Sequence, residues 1–161
     1  MSLLMNRRLF MGVSAAATLA TPAFASGATH QVEMLSVDPD NPRNRNVFLP
    51  RIQVIQPGDT VTFVPTDRGH NSESVEEMTP EGFAGWEGQI GKEVSAVLDQ
   101  PGFYGYICTP HATVGMVGLV VVEGEGMLDN LEAAKGARQR GRAKGIWEEI
   151  WEEVDAMGLT S

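Results

Sequence analysis

Cysteine is almost absent from this sequence of 161 residues, which contains only Cys108. A single thiol forms no intramolecular disulfide, so a disulfide-stapled scaffold and any site that needs several thiolates are excluded. Histidine is nearly as rare, with His30, His70 and His111. Any metal site or imidazole chemistry must therefore draw on very few residues, and each histidine can be weighed individually.

Positive charge and long apolar runs are also scarce. Twelve lysines and arginines stand against 21 aspartates and glutamates, and the formal net charge is −9. A chain of this charge repels a phosphate backbone, so nucleic acid is not an expected partner. No apolar run has the length of a bilayer-spanning helix, so no membrane span is predicted. The length is enough for one domain with one core.

Residues 1–25 have the composition of an export signal. Arg7 and Arg8 precede an apolar stretch of small residues, and Ala23-Phe24-Ala25 forms an A-x-A cleavage site. The paired arginines favour the twin-arginine route over ordinary secretion. Cleavage near Ala25 leaves about 136 residues with a formal charge of −11, because two arginines and no acidic residue are removed. In the oxidising compartment that an exported protein enters, a lone thiol needs protection or a function, and metal ligation supplies both.

Short segments with period-2 alternation recur through the middle of the chain, separated by turns rich in proline, glycine and asparagine. They predict a mainly β protein, an antiparallel sandwich of two sheets over residues 26–126. Residues 51–55 and 60–64 flank the turn Gln56-Pro57-Gly58-Asp59 and are predicted to form a hairpin. Residues 72–91 are interpreted as a long connection with one helical turn. The predicted strands are 30–36, 47–50, 51–55, 60–64, 92–98, 103–108 and 116–122.

Residues 127–161 have a helical character. Asp129 or Asn130 is a candidate N-cap for a short helix over 130–137. Farther on, apolar residues recur at spacings of three and four between glutamates, which predicts a second, amphipathic helix packed on the sandwich, with a partner-binding helix as the alternative. These apolar residues are Ile146, Trp147, Ile150, Trp151, Val154 and Met157. The basic residues between the helices are interpreted as a solvated linker; they are Arg138, Arg140, Arg142 and Lys144.

The candidate functional residues cluster around the single cysteine. His111 follows Cys108 by three residues in a turn that Pro110 restricts, and Met116 follows after a short loop. A thiolate, an imidazole and a thioether so close together favour copper, because Cu(I) prefers soft sulfur ligands and imidazole suits both oxidation states. His70 lies in a polar loop 38 residues upstream of the cysteine and is the natural third strong ligand.

Other interpretations of this cluster remain. Zinc also accepts two histidines and a cysteine, but methionine is a poor zinc ligand, whereas a His-His-Cys set with a weak axial Met is the blue-copper pattern. A buried structural thiol with Met116 in the core is the other alternative. The strand before His70 is expected beside the 103–108 strand, and Asn71 is interpreted as a tie between the two ligand loops or a donor to the sulfur. His30 is expected to be solvated and to bind no metal.

Four stretches carry a resemblance to a known family. They are GDTVTFVPTDRGHN at 58–71, the segment from Tyr104-Gly105 to Cys108-Thr109-Pro110-His111, GMVG at 115–118 and NLEAAKGA at 130–137. Together they resemble the pseudoazurins, small bacterial blue copper proteins, over nearly all of the chain after residue 25. The resemblance implies an eight-stranded, Greek-key cupredoxin sandwich with two C-terminal helices that binds one copper ion, Cu(II)/Cu(I). It implies the ligands His70, Cys108, His111 and Met116, with Asn71, Thr109 and Pro110 beside them.

The resemblance also implies a monomeric periplasmic electron carrier, not an enzyme, which serves anaerobic respiration with copper nitrite reductase or c-type cytochromes as partners. A periplasmic copper-delivery protein is the alternative. Two departures affect the surface near His111, the expected electron port. Residues 112–115 are Ala-Thr-Val-Gly where the family has an aromatic residue followed by Gly-Met-Gly. The family has a ring of lysines around this face. Basic residues are few in this chain, because residues 26–125 carry five, including Arg68, against fourteen acidic ones.

Overall fold

The computed structural model describes residues 27–161, so the predicted export signal lies outside the described residues. Eight strands are followed by two helices, which confirms the predicted fold class. The strands are β1 (Thr29–Val37), β2 (Arg45–Leu49), β3 (Ile52–Ile55), β4 (Asp59–Val64), β5 (Glu73–Ser74), β6 (Val94–Leu98), β7 (Gly102–Ile107) and β8 (Val117–Val122). The helices are α1 (Leu131–Gly136) and α2 (Ala143–Ala156), and short 3-10 segments occupy Glu76–Met78, Thr109–Val114 and Met127–Asn130. No helix within 27–161 is long and apolar enough to cross a membrane.

The strands form two four-stranded sheets, ordered β2-β1-β4-β6 and β3-β8-β7-β5. Alternation decides which side chains enter the core: in β1, Val32 and Met34 are buried, whereas Gln31 and Glu33 are exposed. By contrast β8, with the sequence VGLVVV, is buried at every position. One of its faces meets the first sheet and the other is covered by the C-terminal helices, so both faces are apolar.

Strand pairing differs from the prediction in two respects. The hairpin expected from residues 51–55 and 60–64 is wrong, because β3 lies in the second sheet and β4 in the first. The turn between them therefore carries the chain from one sheet to the other. The sheets are also not purely antiparallel, since β1 pairs with β4 and β3 with β8 in parallel. Local alternation identifies a strand but contains no information about which strand lies beside it.

The connection over residues 72–91 is more ordered than expected. Its predicted helical turn is the 3-10 segment Glu76–Met78. The two-residue strand β5 was missed; it pairs antiparallel with Ile107 and Tyr106 at the end of β7. A strand of two residues gives too short a pattern to be recognised from sequence. Its position matters, because it ties the loop that carries His70 to the strand that leads to Cys108.

Helix α2 packs on the outer face of the second sheet, as its apolar spacing predicted. Trp147, Ile150 and Val154 are buried on one stripe of the helix. They contact side chains of the sheet and of α1, among them Phe103, Leu119, Val121, Leu131 and Ala134. On the exposed side, Arg51 joins Glu149 and Glu153 at 3.0 and 3.1 Å.

Asn130 does not cap α1 with its side chain, contrary to the prediction. Its Oδ1 accepts a hydrogen bond from Phe103 N at 3.0 Å, and its Nδ2 donates to Phe103 O at 2.8 Å. On that side of β7, β5 pairs only with residues 106 and 107, so the backbone at Phe103 has no strand neighbour there. The amide of Asn130 satisfies both groups instead, which fixes the C-terminal segment to the sheet.

An aromatic cluster fills the core between the sheets. The ring of Tyr106 lies 4.8 Å from both Phe48 and Phe63, measured between centroids, and Phe63 stacks on Trp86 at 5.3 Å. The Tyr106 hydroxyl is buried and has no hydrogen-bond partner among residues 27–161. Burial raises the pKa of Tyr106 far above its ordinary value.

Candidate metal centre

The four predicted ligands come from different parts of the sandwich. His70 lies in the loop that leaves β4 of the first sheet, Cys108 directly follows β7 of the second, and Met116 directly precedes β8. His111 lies on the 3-10 segment Thr109–Val114 between them. The expectation that the strand before His70 lies beside the 103–108 strand is wrong, because the two belong to opposite sheets. The His70 loop crosses between the sheets and continues into β5, which is the strand beside β7.

Three potential ligand atoms converge. His70 Nδ1 lies 3.2 Å from His111 Nδ1, and Cys108 Sγ lies 3.8 and 3.5 Å from those two nitrogens, respectively. His70 and Cys108 are buried, whereas His111 is partly exposed. Two imidazole nitrogens and one sulfur that face a common point form a trigonal donor set, which is the geometry of blue-copper sites.

Met116 is attached to the same three-residue set through its backbone. Cys108 N donates to Met116 O at 3.0 Å, and Met116 N donates to His111 O at 3.1 Å. Its side chain is fully buried in the same core cluster as Cys108. At Gly115 the chain turns through a positive φ of 103°, and a Cβ there would lie 2.9 Å from Ile146 Cγ1 of α2. The turn into Met116 therefore needs glycine both for its conformation and for the close approach of the helix.

Burial shifts the pKa values of two of the donors, His70 and Cys108. Burial of His70 is the main cause that lowers its pKa, followed by the nearby His111, whereas Asp67 acts in the opposite direction. Burial likewise raises the pKa of the Cys108 thiol, although backbone N–H groups of Asn71 and His111 donate to the sulfur and partly offset it. A neutral imidazole at His70 is ready to bind a cation, and a cation that binds the sulfur of Cys108 must displace its proton.

Asn71 ties the two ligand loops together. Its Oδ1 accepts from Thr109 N at 2.8 Å, and its Nδ2 donates to Thr109 Oγ1 at 2.9 Å and to Gly88 O at 3.0 Å. Thr109 Oγ1 in turn donates to a carboxylate oxygen of Glu73 at 2.7 Å. These contacts agree with the first of the two sequence-based interpretations, in which the side chain of Asn71 ties the two loops together.

Ser36, which was not predicted, contacts the imidazole of His70. Its Oγ lies 3.1 Å from His70 Nε2, the ring nitrogen on the far side from Cys108. Its backbone N donates to Asp67 Oδ2 at 2.7 Å, while Asp67 N donates to Met34 O. The end of β1 therefore holds the His70 loop. Ser36 falls at an ordinary position of an alternating strand, so nothing in the sequence singled it out.

His30 lies outside this cluster and, contrary to the expectation, is not merely solvated. Its Nε2 lies 2.8 Å from Asp59 Oδ2. Asp59 Oδ1 accepts from Ala28 N at 2.7 Å, and Oδ2 also accepts from Gln56 N at 3.0 Å. The pair joins the start of β1 to the turn before β4, a pairing between distant segments that local sequence does not reveal.

Comparison with known proteins agrees with the geometry. Residues 36–123 match the copper-binding proteins of the plastocyanin/azurin family. Pseudoazurin of Paracoccus pantotrophus is 40% identical over 134 residues, which cover 83% of this chain and 89% of that protein. The crystal structure of native pseudoazurin from Hyphomicrobium denitrificans, 40% identical, superposes with a TM-score of 0.72 over 79% of this chain and 98% of that one. Pseudoazurin from Methylobacterium extorquens AM1, 36% identical, gives 0.71 over 78% and 98%.

The comparisons and the donor set indicate the same kind of metal site. Proteins of this family bind one copper ion and carry electrons rather than catalyse reactions. Two imidazole nitrogens and one cysteine sulfur in a trigonal, largely buried arrangement fit that ion. The chain belongs to the plastocyanin/azurin family of copper-binding proteins and, within it, to the pseudoazurins.

Proposed function

We propose that His70, Cys108, His111 and Met116 hold one copper ion and that the protein carries single electrons between redox partners in the periplasm. The observation that carries the assignment is the convergence of two imidazole nitrogens and the only thiol sulfur within 4.8 Å of one another. Bound there, copper supplies a Cu(II)/Cu(I) couple, and the soft sulfur ligands favour the reduced ion while imidazole serves both.

The residues around the ligands fit a carrier because they limit movement. Ser36 Oγ contacts Nε2 of His70, and Asn71 joins the His70 loop to Thr109, the residue after Cys108. A donor set fixed by such contacts keeps one arrangement in both oxidation states, so little energy is spent on rearrangement when an electron arrives. Burial of His70, Cys108 and Met116 excludes water from the site.

His111 provides the route to the surface. It is the partly exposed member of the set, and it lies on the 3-10 segment whose neighbours Pro110, Thr113 and Val114 are exposed. A partner that covers this segment comes close to an imidazole bound directly to the metal. The alternative role, copper delivery, is less well supported, because exchange of the ion requires access to ligands that are here buried.

The cellular role is proposed from the sequence and the family together. Residues 1–25 are proposed to be a twin-arginine export signal cleaved near Ala25, which leaves the sandwich of residues 26–126 and the helical extension of 127–161 as the mature protein. Replacing both Arg7 and Arg8 by lysine is expected to retain the protein in the cytoplasm, and mass spectrometry of the exported form gives its first residue. Export after the double replacement would contradict the twin-arginine route.

The donor set is tested by copper reconstitution followed by visible spectroscopy and electrochemistry. An intense thiolate-to-copper absorption and a reversible one-electron wave are expected. Cys108→Ser should abolish the absorption and His70→Asn should weaken or shift it, whereas His30→Asn, outside the cluster, should leave it unchanged. A copper-loaded protein without the absorption would refute the blue-copper assignment.

The partners are proposed to be copper nitrite reductase or c-type cytochromes, each met by a monomer of this protein. Stopped-flow kinetics with each purified partner, at several salt concentrations, distinguishes them, because productive docking through charged surfaces is salt dependent. Failure of both classes to exchange electrons faster than a neutral small-molecule reagent would contradict this choice of partners.

A further inference from the structure

The end of the long connection, residues 86–91, lies directly against the loop that carries His70. Gly88 N donates to Ser72 O at 2.8 Å, and Gly91 N donates to His70 O at 2.8 Å. The backbone of the ligand loop is therefore hydrogen-bonded to this segment at two points, and one of them is the ligand residue itself.

Trp86 begins the segment and adds a side-chain contact to the same loop. Its Nε1 donates to Ser72 Oγ at 3.0 Å, and both residues are buried. An indole N–H removed from water needs an acceptor, and the serine hydroxyl oxygen supplies it. Ser72 is the second residue after His70, so the hydrogen bond fixes the loop on the C-terminal side of the ligand.

The indole ring is held by aromatic neighbours from both sheets. It stacks on Phe63 of β4 with ring centroids 5.3 Å apart and an angle of 21° between the planes, and its centroid lies 6.1 Å from that of Tyr106 in β7. Strand β4 leads to the His70 loop and β7 leads to Cys108. A ring packed against both strands gives its N–H a fixed direction, so the hydrogen bond to Ser72 restricts the loop.

Gly88 permits the close approach of the segment to the loop. A Cβ at this position would lie 2.8 Å from Ser72 O and 2.8 Å from Val94 Cγ1. Because contacts this short cannot persist between packed atoms, a side chain here would push the segment away from the loop. Gly88 is not among the glycines with a positive φ, so the lack of space, and not the backbone conformation, is the reason for glycine.

We propose that Trp86 is a positioning residue for the metal centre, which holds the His70 loop through Ser72 in the arrangement that binds copper. The inference rests on the proposed copper site, of which His70 is a ligand. Copper binds only the fitted arrangement, so its apparent affinity falls with the fraction of molecules in which the loop adopts it. Trp86 acts through the backbone that carries the ligand.

Trp86→Phe and Ser72→Ala each remove one partner of the hydrogen bond. Each is expected to weaken copper binding about fivefold, measured by competition with a Cu(I) chelator, because the loop loses one hydrogen bond of ordinary strength. The reduction potential should rise, since Cu(II) depends more on imidazole nitrogen than the softer Cu(I) does. The double variant should bind no more weakly than either single variant, because all of them lack the same contact. Additive losses, or an unchanged potential, would overturn the proposal.

Trp147→Phe is the matched control, because Trp147 is also a buried indole but its Nε1 has no hydrogen-bond partner within residues 27–161. It should lower stability and leave copper affinity and potential unchanged. Gly88→Ala is expected to act like Trp86→Phe, whereas Gly145→Ala, where a Cβ meets nothing within 4 Å, is not. An equal shift of the potential in Trp147→Phe would mean that Trp86 acts only through general stability.

Hydrogen exchange of the metal-free protein tests the contact without copper. In Trp86→Phe the amides of Gly88 and Gly91, which donate to the loop, should exchange about fivefold faster, while amides between β1 and β4 change less. A wild-type protein that binds no copper refutes the proposed function. Normal copper binding together with unchanged amide exchange in Trp86→Phe overturns only the positioning role of Trp86.

Discussion

At the scale of single residues, the centre depends on groups that orient the ligands. Ser36 contacts the far nitrogen of the His70 ring and is itself held by Asp67. When Nδ1 binds a metal, the ring keeps its hydrogen on Nε2, and Ser36 Oγ is placed to accept it. The serine thereby selects both the tautomer and the orientation of the ring.

Replacement of Ser36 by alanine is expected to weaken copper binding about tenfold, because the imidazole loses its orienting partner. The visible absorption and the reduction potential should both shift, and a Cu(I) chelator should remove the ion faster. Ser95→Ala is a suitable control, since Ser95 Oγ bonds Thr62 Oγ1 at 2.8 Å on another strand. Equal effects of both replacements would show that Ser36 acts only through general stability.

Removal of the hydroxyl group is expected to affect stability differently at the two tyrosines of β7. Tyr106→Phe removes a buried group without a partner in residues 27–161, so the free energy of unfolding should stay unchanged or rise by up to about 1 kcal/mol. Tyr104→Phe removes a donor to Gln100 O at 2.6 Å and should lower it by about 1 kcal/mol. Urea denaturation measures both, and equal losses would indicate that the Tyr106 hydroxyl has a bound water.

At the scale of elements, α2 performs two tasks. Its stripe of Trp147, Ile150 and Val154 covers the second sheet, and its first turn positions the linker and contacts Gly115 beside Met116. The helix is therefore part of both the core and the surroundings of the metal centre. A sandwich with β8 buried on both faces needs such a cover.

Ile150→Ala should lower the free energy of unfolding by about 2–5 kcal/mol, because the residue is fully buried and the replacement leaves a cavity. Chemical denaturation of the metal-free protein provides the measurement. The exposed Glu152→Ala, on the same helix, should change stability by less than about 0.5 kcal/mol. A small loss for Ile150→Ala would mean that the helix contributes little to the core.

Sequence patterns predicted elements well where the periodicity was local. Alternation identified β1 and β6, and the spacing of apolar residues identified α2. The candidate ligands were recognisable because thiol and imidazole are so rare here. The pairing of strands, the position of His70 on the opposite sheet from Cys108, and the contacts of Ser36 and Asn130 were not predictable in this way. They depend on which distant segments become neighbours, and residue type at one position does not encode that information.

At the scale of the whole molecule, Asp59 connects the start of β1 to the turn that carries the chain between the sheets. Its carboxylate accepts hydrogen bonds from the backbone N–H groups of Ala28 and Gln56 and pairs with His30. These contacts, the Gln56 N–H first and His30 second, lower the pKa of Asp59. The folded state therefore favours the ionised carboxylate, and the stabilisation is present above the pKa of the unfolded chain and lost as the pH falls through the lower, folded value.

Asp59→Asn is expected to reduce thermal stability at neutral pH and to flatten the loss of stability on acidification. Melting temperatures of the metal-free protein between pH 7 and pH 3 provide the measurement. Asp155→Asn is a control, because the pKa of that carboxyl is also lowered, by Thr160 first, but on the exposed side of α2. Parallel curves for Asp59→Asn and the wild type would rule out this carboxyl as a source of acid sensitivity.

The separation of the proposed ligands between the two sheets gives the metal a mechanical role. His70 leaves the first sheet, Cys108 and Met116 border strands of the second, and the cysteine follows the histidine by 38 positions. An ion bound to both closes that long loop as a covalent cross-link would, and closing a loop of this size restricts the unfolded chain substantially. In a protein with one cysteine, a bound copper ion would thus act as the cross-link that a disulfide provides elsewhere, and loss of the ion would remove that constraint from the unfolded chain.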